Sequence, residues 1–184
     1  MRIVLVGPPG AGKGTQGELI AERLRVPRVV VGDVLRAHIA QGTPLGERAA
    51  GYVSRGELVP DHLVVGIVEQ ELEPHTAGFV LDGFPRSVTQ ARMLDRFLRT
   101  RAAELDVALH FDIPDAELTE RLAARDRADD TPAVIATRLA GFRGAAELLL
   151  EYYRGRVVEL DAVGAVDEVF ERVLWGLREA TLAA

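Results

Sequence analysis

The sequence predicts an α/β fold, a parallel five-stranded sheet flanked by helices, and three observations carry the prediction. Five short apolar runs alternate with helical patterns. No hairpin signal joins any two of them, so each connection is a crossover and the strands run parallel. A glycine-rich loop stands between the first run and the first helical pattern. With 184 residues, 48% hydrophobic and 27% charged, the chain is long enough for one domain with a sizeable core.

The first run, Arg2-Ile3-Val4-Leu5-Val6, leads into Gly7-Pro8-Pro9-Gly10-Ala11-Gly12-Lys13-Gly14-Thr15, and from Gln16 to Leu24 the apolar residues Leu19, Ile20 and Leu24 keep helical spacing. Strand, glycine loop and helix form the context of a P-loop, which makes the fold one of P-loop NTPase type. In that geometry the N–H groups of Gly10 to Thr15 point into one concavity at a helix N-terminus, where unpaired donors and the helix dipole both favour an anion. Lys13 is the only lysine in the chain. A composition rich in Ala, Val, Gly and Arg explains why lysine is scarce but not why it stands here. A compact ammonium pivots between phosphates, whereas a planar guanidinium needs more room and a fixed approach. Gly10, Gly12 and Gly14 do not make G-x-G-x-x-G, which sets aside a Rossmann fingerprint. Gly14 follows the lysine where the general pattern has Ser or Thr, and the hydroxyl moves to Thr15, a candidate ligand of Mg²⁺.

Arg28-Val29-Val30-Val31 reads as the second strand. From about Val30 to Val59 two short helical patterns surround Gly42-Thr43-Pro44 and end in Gly56-Glu57-Leu58-Val59-Pro60, a small flap on the core. Phe79-Val80-Leu81 reads as the third strand, followed by Asp82-Gly83-Phe84-Pro85-Arg86 and Gln90. A carboxylate at a strand end beside a phosphate loop suits a hydrated Mg²⁺, the glycine admits a base or ribose to the backbone, and the arginine can fork onto a phosphate. Alone, the segment would read equally well as a strand-to-helix turn with a surface arginine. Val107 to Phe111 and Val157 to Leu160 complete the strands, and Arg125 to Pro132 is a charged break between helices of the kind that is ordinarily a solvated connector. The loops at Gly7 to Thr15, Gly32-Asp33, Asp82 to Arg86 and Asp161 to Gly164 all follow strands, so they share the edge where such sheets bind ligands.

The net charge of −6 argues against a nucleic-acid binder. The absence of cysteine excludes disulfides and thiolate zinc sites, and His38, His62, His75 and His110 lie too far apart for a local ligand pair. Each histidine reads as a surface or packing residue. No cleavable signal pattern opens the chain, and no apolar run approaches the roughly 20 residues of a membrane span. The expectation is a soluble cytoplasmic protein with no membrane partner. Without a long heptad or an exposed apolar stripe, a monomer is expected.

Together, the Gly-Lys-Gly-Thr form of the loop, Val31-Gly32-Asp33-Val34-Leu35-Arg36, Asp82 to Arg86 with Gln90, Arg125 with Arg127, and Arg138 stand in an order that resembles adenylate kinase, of the nucleoside monophosphate kinase family, along nearly the whole chain. The resemblance implies one domain, 1–184, with an NMP-binding flap at 30–59 and a lid at 124–130. The lid is of the short bacterial type, because there is no room for an inserted lid domain and no cysteine to fold one around zinc. It implies that Mg·ATP and AMP are converted reversibly into two ADP. Gly10, Ala11, Gly12, Lys13, Gly14 and Thr15 would hold the ATP phosphates, Arg121 would stack on the ATP adenine, and the main chain at Gly164 would touch that base. Arg36, Arg86 and Arg138 would address the AMP phosphate, Gln90 would read the AMP base, and the backbone of Glu57, Leu58 and Val59 would frame base and ribose. Val31, Gly83, Phe84 and Pro85 would complete the AMP site. Asp82 would hold Mg²⁺ through water, with Thr15 a second candidate. Arg125 and Arg127 would reach the phosphates from the lid, and with Lys13, Arg86 and Arg138 they form the implied catalytic set; Asp129 and Asp130 would pair with them or serve as helix N-terminal charges. For any one of these arginines alone, a solvated helix-face charge is the commoner fate.

Two positions depart from the resemblance. Val31 stands where adenylate kinases commonly have Thr, and loss of one neutral hydrogen bond to the AMP base is worth about 0.5–1.5 kcal/mol. Some pyrimidine monophosphate kinases also lack that hydroxyl, so a UMP/CMP kinase is the close alternative; a catalytically idle nucleotide-binding module is the more distant one. Ala145-Ala146-Glu147-Leu148 stands where relatives often show Thr-Ala-Pro, and a packing difference is expected there.

Overall fold

The computed structural model describes residues 1–123 and 131–182. The elements are β1 (Arg2–Val6), α1 (Lys13–Leu24), β2 (Arg28–Val30), α2 (Val31–Ala40), α3 (Pro44–Arg55), α4 (Asp61–Leu72), β3 (Phe79–Asp82), α5 (Val88–Arg99), β4 (Val107–Asp112), α6 (Asp115–Ala123), α7 (Pro132–Tyr152), β5 (Val157–Asp161) and α8 (Val166–Leu182). The sheet has the order β2-β3-β1-β4-β5, and every pair is parallel, as the alternation of runs requires. β1 lies between β3 and β4, so the strand order reverses at β1 and a crevice opens beyond its C-terminal end. Leu5 pairs with Asp82 and Val6 with His110, which brings the post-strand loops together around that crevice.

Both faces of the sheet are covered, which is why its strands read as nearly unbroken apolar runs. Successive residues alternate between faces. Val4, Val6, Leu81 and Ala108 pack with Ile67, Leu94, Leu98, Leu149 and Tyr153 on one side. Ile3, Leu5, Val80 and Leu109 pack with Ile20, Leu118, Val173 and Leu177 on the other. β2 ends one residue before the expected strand does: Val30 is still extended, at φ −103°, ψ 99°, and Val31 is already the first residue of α2. There its side chain turns into the core at 2% exposure.

The two helical patterns of the 30–59 region are α2 and α3. Thr43 caps α3 by accepting the Gly46 N–H at 3.1 Å, with Pro44 in the first turn. Gly46 sits so close to the end of α2 that a Cβ would lie 2.1 Å from the His38 carbonyl oxygen. At the far end of α3, Gly56 has φ +73°, and a Cβ there would come within 2.8 Å of the Val134 carbonyl oxygen on α7. The end of α3 therefore abuts α7.

At the C-terminal end of α7 a polar group is buried. Asp95 of α5 is 5% exposed; it accepts from the Tyr152 hydroxyl at 2.9 Å and from Arg156 Nη2 at 3.4 Å. Burial first, then the bond to Asp95, raises the Tyr152 pKa, and burial pushes Tyr153 far above the tyrosine range. A phenol whose pKa is raised by folding contributes stability that is complete below its unfolded value, about 10, and is lost as pH rises through the folded value. With a single lysine in the chain, few other groups titrate in that window. Thermal denaturation should show a melting temperature that falls above about pH 10. Tyr152→Phe should cost about 1 kcal/mol at neutral pH and flatten part of that fall, and a melting temperature flat through the alkaline range would contradict this account. Among the described residues, no helix is long and apolar enough to cross a membrane.

Candidate active site

Beyond Val6 the chain turns sharply. Gly7 has φ +155°, and a Cβ would lie 3.0 Å from the Phe111 carbonyl oxygen. Gly12, at φ +84°, is the residue before α1, and no side chain caps that helix. Its first N–H groups therefore face the loop, and together with the helix dipole they make an anion site. The half-buried Lys13 folds back on the same loop: Nζ donates to the carbonyl oxygens of Gly7 at 2.7 Å and Pro8 at 2.8 Å.

The loop forms one wall of a cleft of about 980 Å³. Gly10, Gly12, Lys13, Gly14, Thr15 and Arg121 line one side, while Val31, Arg36, Glu57, Leu58, Val59, Asp82, Gly83, Pro85, Arg86, Gln90 and Arg138 line the rest. Ala11 and Phe84 are buried behind the wall at 1% exposure, so each has only its backbone to offer a ligand. Gly164, in the loop from β5 to α8, is not part of the cleft wall. Arg121 links the two, since its Nη2 donates to the Ala162 carbonyl at 3.0 Å and its Nε to Glu117 at 3.2 Å. Arg125 and Arg127, like Asp129, Asp130 and the expected lid at 124–130, lie outside the described residues.

Three arginines converge on the second half of the cleft. The Arg86 side chain is exposed to the cleft, and partial desolvation by the surrounding protein, with the cations of Arg138 and Arg36, holds its guanidinium below the ordinary arginine pKa against the pull of Asp82. Its Nε donates to the Gly83 carbonyl at 2.8 Å, aiming the head group from the turn after β3. Arg36 pairs with Asp33 one turn earlier on α2. Three cations gathered on one wall of a cleft suit an anion.

Next to the arginines lies an apolar recess formed by Val31, Leu35, Val53, Val59 and Val64. Gln90 stands at its rim with its amide oriented: Oε1 accepts the Arg86 N–H at 2.8 Å, and Nε2 donates to Asp61 at 2.7 Å. Val31 lines this recess with a side chain that carries no hydroxyl.

One charged residue of the cleft was not anticipated. Arg28 opens β2 and runs along α1 to Asp82, with Nη2 3.2 Å from Oδ2 and Nη1 3.5 Å from Glu18. Gly17 leaves it room, since a Cβ there would lie 3.1 Å from Arg28 Nε. The only sequence signal was a charge at the head of an apolar strand, opposite two glycines three residues apart in the first helix.

Asp82 and Thr15 are hard oxygen donors in the same cleft, a donor set that suits Mg²⁺. Among the described residues no cluster of three or more His, Cys, Asp or Glu could hold a metal by itself. Mg²⁺ is characteristically held by one or two side chains together with phosphates and water, so these residues fit an ion that arrives with a nucleotide.

Residues 5–158 match the family model for adenylate kinase. The chain is 49% identical over 179 residues to the adenylate kinase of Mycolicibacterium smegmatis, covering 96% of this chain and 99% of that protein. It is 49% identical to the adenylate kinase of Nocardia farcinica, with the same coverage, and 41% identical to that of Corynebacterium urealyticum, again over 96% and 99%.

Proposed function

The chain belongs to the adenylate kinase family, and from that premise we propose how its cleft works. It is a nucleoside monophosphate kinase that transfers the terminal phosphoryl group of ATP to AMP, giving two ADP, and the reaction runs in both directions. The observation that carries this reading is the convergence of Arg36, Arg86 and Arg138 opposite a P-loop lysine in one cleft. Phosphoryl transfer passes through a loose transition state and asks for positioning and charge neutralisation, with no covalent catalyst. The AMP phosphate is already an anionic nucleophile, so no general base is needed.

In this reading the ATP phosphates lie on the N–H groups of Gly10 to Thr15. The Lys13 ammonium exchanges the Gly7 and Pro8 carbonyls for phosphate oxygens. Asp82, through water, and Thr15 would hold the Mg²⁺ that accompanies ATP, which would supply further charge neutralisation. AMP places its phosphate among Arg36, Arg86 and Arg138, with its base in the recess of Val31 and Val59 beside Gln90 and the backbone of Glu57, Leu58, Gly83, Phe84 and Pro85. Residues 30–59 act as the flap and 124–130 as the lid of one domain, 1–184, and Arg125 and Arg127 come to the phosphates as the lid closes. Closure excludes water, which guards ATP against hydrolysis until both substrates are present. The enzyme acts as a cytoplasmic monomer.

Val31 gives the pyrimidine reading its one supporting observation. A coupled assay with Mg·ATP and each of AMP, GMP, CMP and UMP separates the outcomes. Turnover selective for AMP is expected. Preference for CMP or UMP would move the acceptor to the pyrimidines, and ATP binding without turnover on any monophosphate would reduce the protein to a binding module.

A further inference from the structure

The carbonyls of the loop from β5 to α8 are taken up in an uncommon way. Arg172 Nη1 donates to the Asp161 carbonyl at 2.8 Å and to the Val163 carbonyl at 2.6 Å, while Arg121 Nη2 takes the Ala162 carbonyl between them. Three successive carbonyls thus end on two guanidinium groups. The Asp161 carboxylate accepts the Val163 N–H at 2.9 Å. One turn before Arg172, Glu168 accepts the Ala165 N–H at 2.9 Å, and the Ala165 carbonyl is used by Val169. Among the described residues this leaves Gly164 as the loop position whose carbonyl no hydrogen bond reaches. Gly164 has φ +121°, and a Cβ there would lie 2.5 Å from Glu168 Oε2, so a side chain would dislodge the bond to Ala165.

A helix cap alone would account for Glu168 and Ala165. It does not account for an arginine a turn later holding two carbonyls of the loop that precedes the helix. The loop is joined in turn to the phosphate site, because Arg121 Nη1 lies 3.8 Å from where a Cβ on Gly12 would be.

We propose that Glu168 and Arg172 are positioning residues for ATP. From one face of α8 they clamp the loop, so that the Gly164 carbonyl is presented to the amino group of the base while Arg121 lies against its ring. The proposal rests on the reading of Gly164 and Arg121 as the base end of the ATP site. It places ATP affinity partly in two side chains that never touch the nucleotide.

The test is calorimetric binding of ATP, alongside steady-state kinetics with ATP and AMP varied separately. Arg172→Ala is expected to weaken ATP binding and raise the KM for ATP by about five- to ten-fold, with kcat and the KM for AMP held within about two-fold. Arg172→Lys should recover much of the loss, since an ammonium has three donors for the two carbonyls. A rise of both KM values together, or unchanged ATP binding by folded Arg172→Ala, would overturn the proposal. If Arg172→Ala melts near the assay temperature, Glu168→Ala gives a second reading: it removes the acceptor of the Ala165 N–H, leaves Gly164 and Arg172 in place, and should weaken ATP binding selectively; unchanged ATP binding by this variant would likewise overturn the proposal. ATP binding does not depend on AMP turnover, so failure of the phosphotransfer reading leaves this test standing.

Discussion

Lys13→Ala is expected to lower kcat for phosphotransfer by about 10³-fold or more, an effect of the size seen when one preorganised cation is removed from a developing phosphoryl charge. The chain has no other lysine, so no neighbouring ammonium can stand in. Lys13→Arg should not restore the rate: the ammonium reaches two carbonyls of its own loop at 2.7 and 2.8 Å, a space into which a planar guanidinium does not fold. Folding should suffer much less. The two bonds lost are charge-assisted but half-buried, worth about 1–3 kcal/mol together, and thermal denaturation should show a drop of about 2–12 °C, the order expected for that loss. A kcat within tenfold of the parent would remove Lys13 from the transition state.

Arg86→Met should cost activity and leave stability nearly unchanged. The AMP phosphate loses the arginine that shares its space with Arg36 and Arg138, and kcat/KM for AMP should fall by about 10²- to 10⁴-fold. The surroundings hold the Arg86 pKa below its ordinary value, through partial desolvation and through Arg138 and Arg36 against the pull of Asp82, but the side chain is exposed, so solvent screens most of that repulsion. Losing the bond from Nε to the Gly83 carbonyl works in the opposite direction, and the melting temperature should stay within a few degrees of the parent's. A large drop would show that Arg86 holds the turn after β3 together, and not only the AMP phosphate.

Elements buried on both faces were the most legible in the sequence. Each of the five strands lies within about a residue of its apolar run, because strands covered on both sides are mostly apolar; the polar interruptions, His110 in β4 and Glu159 in the edge strand β5, are only partly buried or exposed. The exception is Val31: its side chain is apolar like those before it, but its backbone turns into α2 and nothing in the residue type marks the change. The phosphate loop and the Asp82 to Gln90 segment were legible because their chemistry is local in sequence. Arg28 was not, since its partner Asp82 is 54 residues away and meets it only through the pairing of β2 with β3. The clamp from Arg172 escaped notice for a related reason, as a charge on the exposed side of an amphipathic helix looks the same whether it faces solvent or a folded-back loop. The contact of Gly56 with α7 also depends on how two distant segments meet, which no local pattern encodes.

The ammonium of Lys13 has a further consequence for throughput. Two backbone carbonyls already solvate it, so nucleotide binding trades one set of hydrogen bonds for another and gains little ground-state affinity from it. The gain comes as negative charge shifts onto the oxygens between donor and acceptor, where two carbonyl dipoles are a poor substitute. An interaction weak with reactants and products alike, and strong only between them, speeds catalysis without holding product back. A reversible transfer between two similar nucleotide pairs calls for that: either direction can run, and neither end traps the enzyme.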